Sequence, residues 1–186
     1  MSTQPASHHR AYTWQDPRPT AEAIGQLSGL EVLQGIGKGT LPTPPAMDTL
    51  AIEPIEVEPG RTLFELTPAG WHDNALGTVH GGVLATLADN ALGAAVSTRL
   101  PAGTGYTTQG LSITFLRPVT VDTSRIRCEG TAVHVGRRTA YATATITDLG
   151  GKLLAHATTT CLIFPADGRQ PARTPQQVAQ STPPTS

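Results

Sequence analysis

The stretch of sequence that decides the fold lies near the middle of the chain. Residues 74–96 read NALGTVHGGVLATLADNALGAAV, a run of small and apolar residues with one carboxylate, Asp89, among them. The pattern from 82 to 99 does not alternate, contains no proline, and ends at Arg99 shortly before Pro101, which is typical of a helix C-terminus. We predict a helix over 82–99 that is too short and too polar to span a membrane. Because it is apolar almost all round, we expect it to be wrapped by protein.

Short apolar and β-branched runs lie on both sides of this helix. They cover 50–58 and 61–67 before it, and 106–116, 123–135, 138–148 and 152–164 after it, and such runs predict strands. Gly136-Arg137 and residues 148–151 have the chemistry of tight turns, which favours an antiparallel meander. The sequence therefore predicts an α+β hotdog fold, in which a curved antiparallel sheet wraps around one central helix.

The two ends of the chain differ in composition from this central part. Residues 1–19 and 166–186 are rich in Pro, Thr, Ser and Gln, so we expect a flexible N-terminal tail and a disordered C-terminal tail. Thr20 is a plausible N-cap for a short amphipathic helix, and the prolines of residues 41–45 predict a loop after it. We assign 20–49 to an N-terminal helix and a Pro-rich loop, and 50–165 to one hotdog domain.

The overall charge and the cysteines exclude several classes of partner. The 13 basic and 14 acidic residues give a formal net charge of −1, so we expect neither nucleic acid nor membrane as a partner. Cys128 and Cys161 form no Cys-x-x-Cys or His/Cys cluster, which predicts reduced buried thiols, no metal and no cofactor. The first twenty residues have no apolar stretch of signal-peptide type, which predicts a cytoplasmic protein.

The basic residues are unevenly distributed along the chain. Only Lys38 and Lys152 are lysines, whereas five arginines fall within 22 consecutive positions. The five are Arg117, Arg125, Arg127, Arg137 and Arg138. Arginine forms bidentate contacts with phosphate, so this cluster is a candidate anion site. A solvated strand face is the alternative interpretation, and the sequence leaves both open.

The start of the central helix has residues suited to binding a carbonyl group. The amides of Gly81 and Gly82 lie in its first turn, where N–H groups lack helical partners and the helix dipole adds positive potential. Such donors, together with Asn74, can stabilise a developing oxyanion. His80 could orient Asn74 or steady a leaving thiolate, although a lone histidine is more often structural. The alternative, an ordinary helix start, is disfavoured because no Ser, Thr or Asp caps it.

Asp89 requires an explanation, because a carboxylate on an apolar helix is costly unless it is paired or used. As a carboxylate it can act as general base or as nucleophile. A structural acid hydrogen-bonded to nearby amides or to Arg99 is the alternative. The sequence has no Gly-x-Ser-x-Gly elbow, phosphate loop or pair of histidines at metal-ligand spacing, which argues against a serine hydrolase, an NTPase and a zinc enzyme.

Four motifs occur in order between about residue 50 and residue 164. They are Asn74-x-x-Gly77-x-x-His80-Gly81-Gly82, Leu87-Ala88-Asp89, Thr108-x-x-Leu-x-Ile-x-Phe-Leu-Arg-Pro118 and Val135-Gly-Arg137. In this combination the chain resembles the hotdog-fold acyl-CoA thioesterases of the phenylacetate-degradation (PaaI-like) family. The resemblance implies hydrolysis of an acyl-CoA thioester, with coenzyme A as part of the substrate. It also implies a catalytic site formed by Asn74, His80, Gly81, Asp89 and Thr108.

Substrate binding is assigned to a second group of residues. We expect Gly82, Arg117, Gly136, Arg137 and Arg138 to bind the substrate and its coenzyme A. The acyl group is expected to be aromatic or of short to medium chain length. Two other functions stay open: a hydroxyacyl-thioester dehydratase or hydratase of the same fold, and a non-catalytic acyl-CoA-binding module. Asp89 argues against the binding module, because binding alone needs no buried base.

The spacing of Gly81 and Asp89 predicts a site shared between two chains. The two residues are eight positions apart, which on a helix is about 12 Å along the axis and about 80° around it. One thioester carbonyl needs both within hydrogen-bond distance. Two antiparallel central helices around a two-fold axis would bring Gly81 of one chain to Asp89 of the other. We therefore expect a homodimer with composite sites, assembled further as a dimer of dimers, a homotetramer.

Overall fold

The computed structural model describes residues 6–166. Within this range the helices are α1 (Arg18–Ala23), α2 (Gly29–Gly37), α3 (Pro45–Leu50) and α4 (Gly81–Ser97). The strands are β1 (Ile52–Glu58), β2 (Arg61–Leu66), β3 (Thr104–Phe115), β4 (Ile126–Val135), β5 (Thr139–Asp148) and β6 (Leu153–Pro165). The predicted central helix and all six predicted strands are therefore present, with ends within three residues of the expected ones.

The six strands form one antiparallel sheet in the order β1-β2-β4-β5-β6-β3. The tight turns between β4, β5 and β6 make the predicted meander. Strand β3 follows α4 in the chain, crosses to the far side of the sheet and pairs with β6. Within residues 6–166 its other edge has no strand partner. The curved sheet around a long helix confirms the predicted hotdog fold.

Helix α4 packs on the sheet through small and apolar residues. Its fully buried side chains, all 0% exposed, are Leu87, Ala88, Ala91, Leu92, Ala95 and Val96. Gly130 of β4 allows this close approach, because a Cβ there would lie 2.3 Å from the carbonyl oxygen of Ala91. Thr62 of β2 donates a 2.8 Å hydrogen bond to the same oxygen. These contacts determine where along the sheet the helix lies.

Helix α4 also runs antiparallel to the edge strand β3. Phe115, the last residue of β3, contacts the start of the helix, where its ring lies 3.1 Å from the position of a Cβ on Gly81. Tyr106, near the beginning of β3, packs on Gly93, whose Cβ would lie 2.5 Å from the phenolic oxygen. The order of contacts along β3 is therefore the reverse of the order along the helix.

Within a single chain the sheet does not cover the helix on every side. The half-buried residues on its outer side are Val83, Ala85, Thr86, Asp89 and Asn90. One sheet covers one side of a helix, so a single chain leaves the opposite side partly open. Asp89 is consequently half-buried rather than enclosed.

The N-terminal region differs from the single helix that the sequence predicted. Thr20 lies inside α1 rather than at a cap, and the chain turns over residues 24–26, which include Gly25. Ser28 then caps α2: its N–H donates to the Glu31 carboxylate at 2.8 Å, and its hydroxyl accepts from the Glu31 N–H at 3.3 Å. This reciprocal capping box, with Gly25 a poor helix former, favours two short helices over one. Pro45 begins α3 inside the predicted loop, since proline is tolerated in a first helical turn.

The predicted tails lie partly outside the described residues. Residues 6–17 have no regular secondary structure, but α1 begins at Arg18, inside the expected tail of 1–19. Arg10 is also anchored to the body, since it donates a 2.5 Å hydrogen bond to the carbonyl of Thr49. The predicted C-terminal tail, 166–186, lies outside the described residues except for Ala166. No helix within 6–166 is long and apolar enough to cross a membrane.

Candidate active site

His80 is the N-cap of α4. Its Nδ1 accepts a 2.9 Å hydrogen bond from the Gly82 N–H, so the imidazole takes the role usually filled by Ser, Thr or Asp. The Gly82 amide is therefore not the free donor that the sequence suggested, because its proton is already bound. The hydrogen bond of His80 also goes to Gly82 rather than to Asn74, which it was expected to orient.

The Gly81 amide remains available at the start of α4. Among the described residues its N–H has no acceptor, and it lies in the first turn, where the helix dipole concentrates positive potential. The Phe115 ring lies 3.1 Å from the place of a Cβ on Gly81, so a side chain at this position would crowd the ring. Of the two glycines, Gly81 is thus the one whose amide can meet a carbonyl oxygen.

Asn74 closes the loop that precedes α4. Its Oδ1 accepts a 2.8 Å hydrogen bond from the Leu76 N–H, and its Nδ2 donates to Oγ1 of Thr78 at 2.9 Å. Gly77 supplies the positive φ of 73° in this turn, a conformation that favours glycine. Asn74 is therefore a structural residue of the loop, and the second proton of its Nδ2 is left for a ligand.

Asn74 and Gly81 line one cavity of about 330 Å³. The other lining residues are Thr78, Val79, Leu84, Phe115, Leu116, Arg117, Pro118 and Val119. Arg117 is held there by a hydrogen bond from Nη1 to the carbonyl of Leu153. The cavity thus brings together three of the predicted site residues, Asn74, Gly81 and Arg117, within walls that are both polar and apolar.

Asp89 and Thr108 form a second, separate pair. The Thr108 hydroxyl donates a 2.7 Å hydrogen bond to Oδ1 of Asp89. Neither residue lines the cavity at Gly81. Gly81 lies beside Phe115 at the end of β3, whereas Asp89 lies beside Thr108 in the first half of the strand. Gly81 and Asp89 are about 12 Å apart along the helix axis. The structure therefore brings the five predicted catalytic residues together in two groups: Asn74, His80 and Gly81 at the start of α4, and Asp89 with Thr108 near the middle of the helix.

Apart from Arg117, the clustered arginines divide into two sets. Arg125 and Arg127 form ion pairs of 2.9 Å and 2.8 Å with Glu65, which is 3% exposed. These two are therefore engaged on the sheet, as the alternative interpretation of the cluster held. Arg137 and Arg138 are exposed, and their side chains make no hydrogen bond or ion pair within residues 6–166. They lie at the β4–β5 turn, where Gly136 donates to the Thr139 carbonyl at 2.9 Å.

Tyr106 is a neighbour of the Asp89 pair that sequence reasoning missed. It lies two residues before Thr108 on β3 and packs on Gly93, one helical turn after Asp89. Burial raises the pKa of its phenol, and the nearby charge of Asp89 raises it further, so the phenol is neutral. The available signal was a glycine four residues after the acid, which leaves room for a large side chain on that face of the helix.

The cysteines offer no nucleophile. Cys128 and Cys161 are free and buried. Burial raises the pKa of Cys128 to about 12, and it also raises the pKa of Cys161. A thiol with a raised pKa is a poor nucleophile at neutral pH. No group of three or more His, Cys, Asp or Glu that could hold a metal occurs in the part of the chain that the structure describes.

The domain with these two groups has known relatives. Residues 76–155 match a family model described as the thioesterase superfamily. This part of the chain is therefore similar to the thioesterase superfamily. The protein is a thioester hydrolase, and its predicted resemblance to the PaaI-like thioesterases is confirmed. No curated protein matches the sequence.

Solved structures resemble the thioesterase domain over most of their own length. A thioesterase related to phenylacetic acid degradation from Ralstonia eutropha JMP134 is 26% identical, with a TM-score of 0.64, and the match covers 69% of this chain and 97% of that one. A single-site mutant of PaaI from Thermus thermophilus is 28% identical, with a TM-score of 0.58 and coverage of 64% and 98%. PaaI from E. coli, at 20% identity, a TM-score of 0.63 and coverage of 75% and 96%, supports the fold alone.

Proposed function

We propose that the protein hydrolyses acyl-CoA thioesters at composite sites, each built from two copies of the chain. The observation that carries the proposal is the separation of the two groups: Gly81 and Asn74 share a cavity from which Asp89 and Thr108 are absent. A thioester carbonyl needs an oxyanion donor and an acid–base group on opposite sides of one carbon. A second copy can supply the group that one chain cannot bring into reach.

In the proposed reaction the Gly81 N–H polarises the thioester carbonyl, and the α4 dipole favours the negative charge that develops on its oxygen. As general base, Asp89 takes a proton from water, the water oxygen bonds to the carbonyl carbon, and the C–S bond breaks. Coenzyme A leaves as thiolate and takes up a proton. As nucleophile, a carboxylate oxygen of Asp89 bonds to the carbonyl carbon, the C–S bond breaks with release of the thiolate, and water hydrolyses the resulting anhydride to the acid and free Asp89. A single turnover in ¹⁸O-water separates the routes, because only the anhydride route can leave label in the Asp89 peptide.

We propose that two copies meet at the edge of β3 that has no strand partner within residues 6–166. When β3 pairs antiparallel with β3 of a second copy, each residue on one side of the two-fold axis faces a residue of the other copy that lies equally far beyond the axis. Phe115, which lies at Gly81, comes opposite Thr108 of the second copy when the axis passes close to Leu111 and Ser112. Leu111, Phe115 and Leu116 are 36%, 48% and 47% exposed along this edge. Burial of such apolar surface stabilises association.

The coenzyme A moiety is proposed to lie on Arg117, Arg137 and Arg138. Arg137 and Arg138 are exposed at the β4–β5 turn beside Gly136, and Arg117 lines the cavity of Gly81. Guanidinium groups bind phosphate through paired hydrogen bonds. Aromatic and short- to medium-chain acyl-CoAs are the first substrates to test, with phenylacetyl-CoA among them, because the names of two structural neighbours refer to phenylacetic acid degradation.

Complementation in mixed dimers tests the composite site. Asn74→Asp keeps the acceptor that closes the loop and removes a donor from the cavity, whereas Asp89→Asn removes the base. Each homodimer should be nearly inactive. A mixed dimer, co-expressed with two tags and purified through both, has one doubly damaged site and one intact site, and should recover up to about half of wild-type activity. A verified mixed dimer as inactive as its parents would show that each site is built within one chain.

The product analysis decides between the proposed function and its two alternatives. A thioesterase releases free coenzyme A, which a thiol-reactive dye detects, and an equal amount of acid. A dehydratase or hydratase interconverts hydroxyacyl- and enoyl-CoA without releasing thiol. A binding module binds acyl-CoA and releases neither product. Absence of thiol release from the whole acyl-CoA panel would reject the proposed hydrolysis.

A further inference from the structure

Arg10 joins the N-terminal segment to the loop that leads to the site. Its guanidinium donates to the carbonyl of Thr49 at 2.5 Å and to that of Asp48 at 3.4 Å. It also lies over two aromatic rings, 4.5 Å from the centroid of Trp71 and 4.8 Å from that of Tyr12. Arg10 therefore contacts the end of α3 and the loop before α4 at the same time.

The neighbouring His72 uses the same end of α3. Its Nε2 lies 3.0 Å from the carbonyl oxygen of Leu50, and its Nδ1 accepts from the Ala69 N–H at 3.2 Å. A neutral imidazole with its proton on Nε2 donates to Leu50 and accepts from Ala69. The Trp71 Nε1, which lies 3.0 Å from the same Nε2, then contacts the ring without donating a hydrogen bond to it. Three successive carbonyls in the last turn of α3, where helical carbonyls lack their usual donors, are thus bound by Arg10 and His72. His72 is 1% exposed, so it has little freedom to move.

From His72 the contacts continue to the proposed oxyanion donor. The carbonyl of His72 accepts a 2.7 Å hydrogen bond from the His80 N–H. His80 in turn caps α4 through its Nδ1 and the Gly82 N–H. Gly81 lies between these two residues, so any shift of His72 is transmitted to the Gly81 amide.

We propose that Arg10 and Trp71 are positioning residues for the reaction: the Arg10–Trp71 clamp fixes the loop from His72 to His80 and thereby the direction of the Gly81 amide. This proposal rests on the proposed function. The thioesterase family match begins at residue 76, so Arg10 and Trp71 lie outside the matched region. The clamp gives the N-terminal segment a role that the family match does not assign.

The charge of Arg10 supports the same connection. Burial lowers the pKa of His72, and the positive charge of Arg10 lowers it further. The Leu50 carbonyl and the negative charge of Asp73 act in the opposite direction. The imidazole must be neutral, because a protonated Nδ1 cannot accept from the Ala69 N–H. Arg10 therefore helps to keep His72 in the state that holds the loop.

The test compares Arg10→Ala with Arg18→Ala, a change in the same segment at an exposed arginine that pairs with Asp16. Arg10→Ala should lower kcat by about tenfold with KM unchanged, because the donor is displaced while the coenzyme A arginines are not. The acid limb of its kcat–pH profile should move to higher pH, since His72 loses the opposing charge. Arg10→Lys should keep the limb near its wild-type position. A smaller folded fraction would scale the whole profile without moving it.

A second readout needs no catalysis. Trp14 and Trp71 are the two tryptophans of the chain, so in a Trp14→Phe background the emission of Trp71 reports the clamp. Arg10→Ala should shift this emission to the red and speed the hydrogen exchange of the His80 and Gly82 amides.

Unchanged exchange and an unmoved pH profile in folded Arg10→Ala would overturn the clamp. If Arg10→Ala fails to fold, Trp71→Leu tests the other side of the contact by the same pH profile and amide exchange. A wild-type protein inactive on every thioester would reject the proposed function alone, because emission and exchange still decide whether the clamp fixes the loop.

Discussion

The hydroxyl of Thr108 and Oδ1 of Asp89, 19 positions apart in sequence, are joined by a 2.7 Å hydrogen bond. A charged acceptor makes such a bond stronger than one between neutral groups. It fixes one carboxylate oxygen and leaves Oδ2 without a hydrogen-bond partner within residues 6–166. The pair therefore presents one oriented oxygen from the half-buried face of α4.

Replacement of Asp89 tests whether this oxygen performs the chemistry. Asp89→Asn keeps the shape and removes the base, so kcat should fall by at least about 100-fold with a modest change in KM. Thr108→Val removes only the orienting donor and should cost about tenfold in kcat. Asn90→Ala, at the next position on the helix, is the control. Near-normal turnover by folded Asp89→Asn would reject the assignment.

A cysteine at Ser112 tests the predicted position of the two-fold axis. A residue on the axis of an antiparallel strand pair faces its own copy within the Cα separation that a disulfide allows. Mild oxidation of Ser112→Cys should yield a covalent dimer on a non-reducing gel. Thr107→Cys, exposed on the same strand but far from the axis, should stay uncrosslinked. Efficient crosslinking of Thr107→Cys instead would place the axis elsewhere.

Salt and substrate truncation test the coenzyme A arginines. The double change Arg137→Ala and Arg138→Ala should raise KM for acyl-CoA by about tenfold at low ionic strength, with a smaller effect as salt screens the contacts. For pantetheine thioesters, which lack the nucleotide phosphates, KM should differ little between the double variant and the wild type. Arg125→Ala is the control within the same cluster, because Arg125 pairs with Glu65. Equal KM values for the two substrates in the wild type would show that these arginines are solvated surface residues that do not bind coenzyme A.

His72 should make stability depend on pH. Its pKa is lowered in the folded state relative to the ordinary value of 6.5, so below 6.5 the unfolded chain binds a proton that the folded chain does not. The free energy of unfolding should therefore fall as pH drops from about 6.5 towards the folded pKa, by at most about 1.4 kcal/mol per pH unit. Urea unfolding at pH 7.5 and 5.5 measures this slope.

His72→Gln should be less stable than the wild type at pH 7.5 and should lose less stability on acidification. His156→Gln makes the same change at an exposed position of β6. If both variants alter the slope alike, the pH dependence does not come from the buried imidazole.

The fold could be predicted because its signals are local. A proline-free run of small residues defines α4, and alternating runs between turn residues define the strands. The division of the N-terminal helix was missed although its signal was present: Ser28 and Glu31 form a capping box three residues apart. Propensity alone did not place that break, because the apolar spacing continues across it.

The site was less accessible, because its geometry depends on partners distant in sequence. The engagement of Arg125 and Arg127 depends on Glu65, about 60 positions earlier. The capping of Gly82 by His80 was missed because histidine is not among the usual N-cap residues. The half-exposure of Asp89 follows from what lies beside α4, which no pattern within the helix records. Motifs gave the residue types of the site, while their division into two groups required the structure.

On the proposed assembly, the edge of β3 that has no strand partner within residues 6–166 makes the rate of reaction depend on the protein concentration. A bare strand edge with exposed apolar side chains favours pairing with another chain, and on the proposed assembly that pairing also completes the sites. At concentrations below the dissociation constant of the dimer, the number of complete sites varies with the square of the chain concentration. Halving the chain concentration would then lower thioester turnover by up to about fourfold. In dilute conditions the activity per chain would therefore rise with the concentration of the enzyme itself.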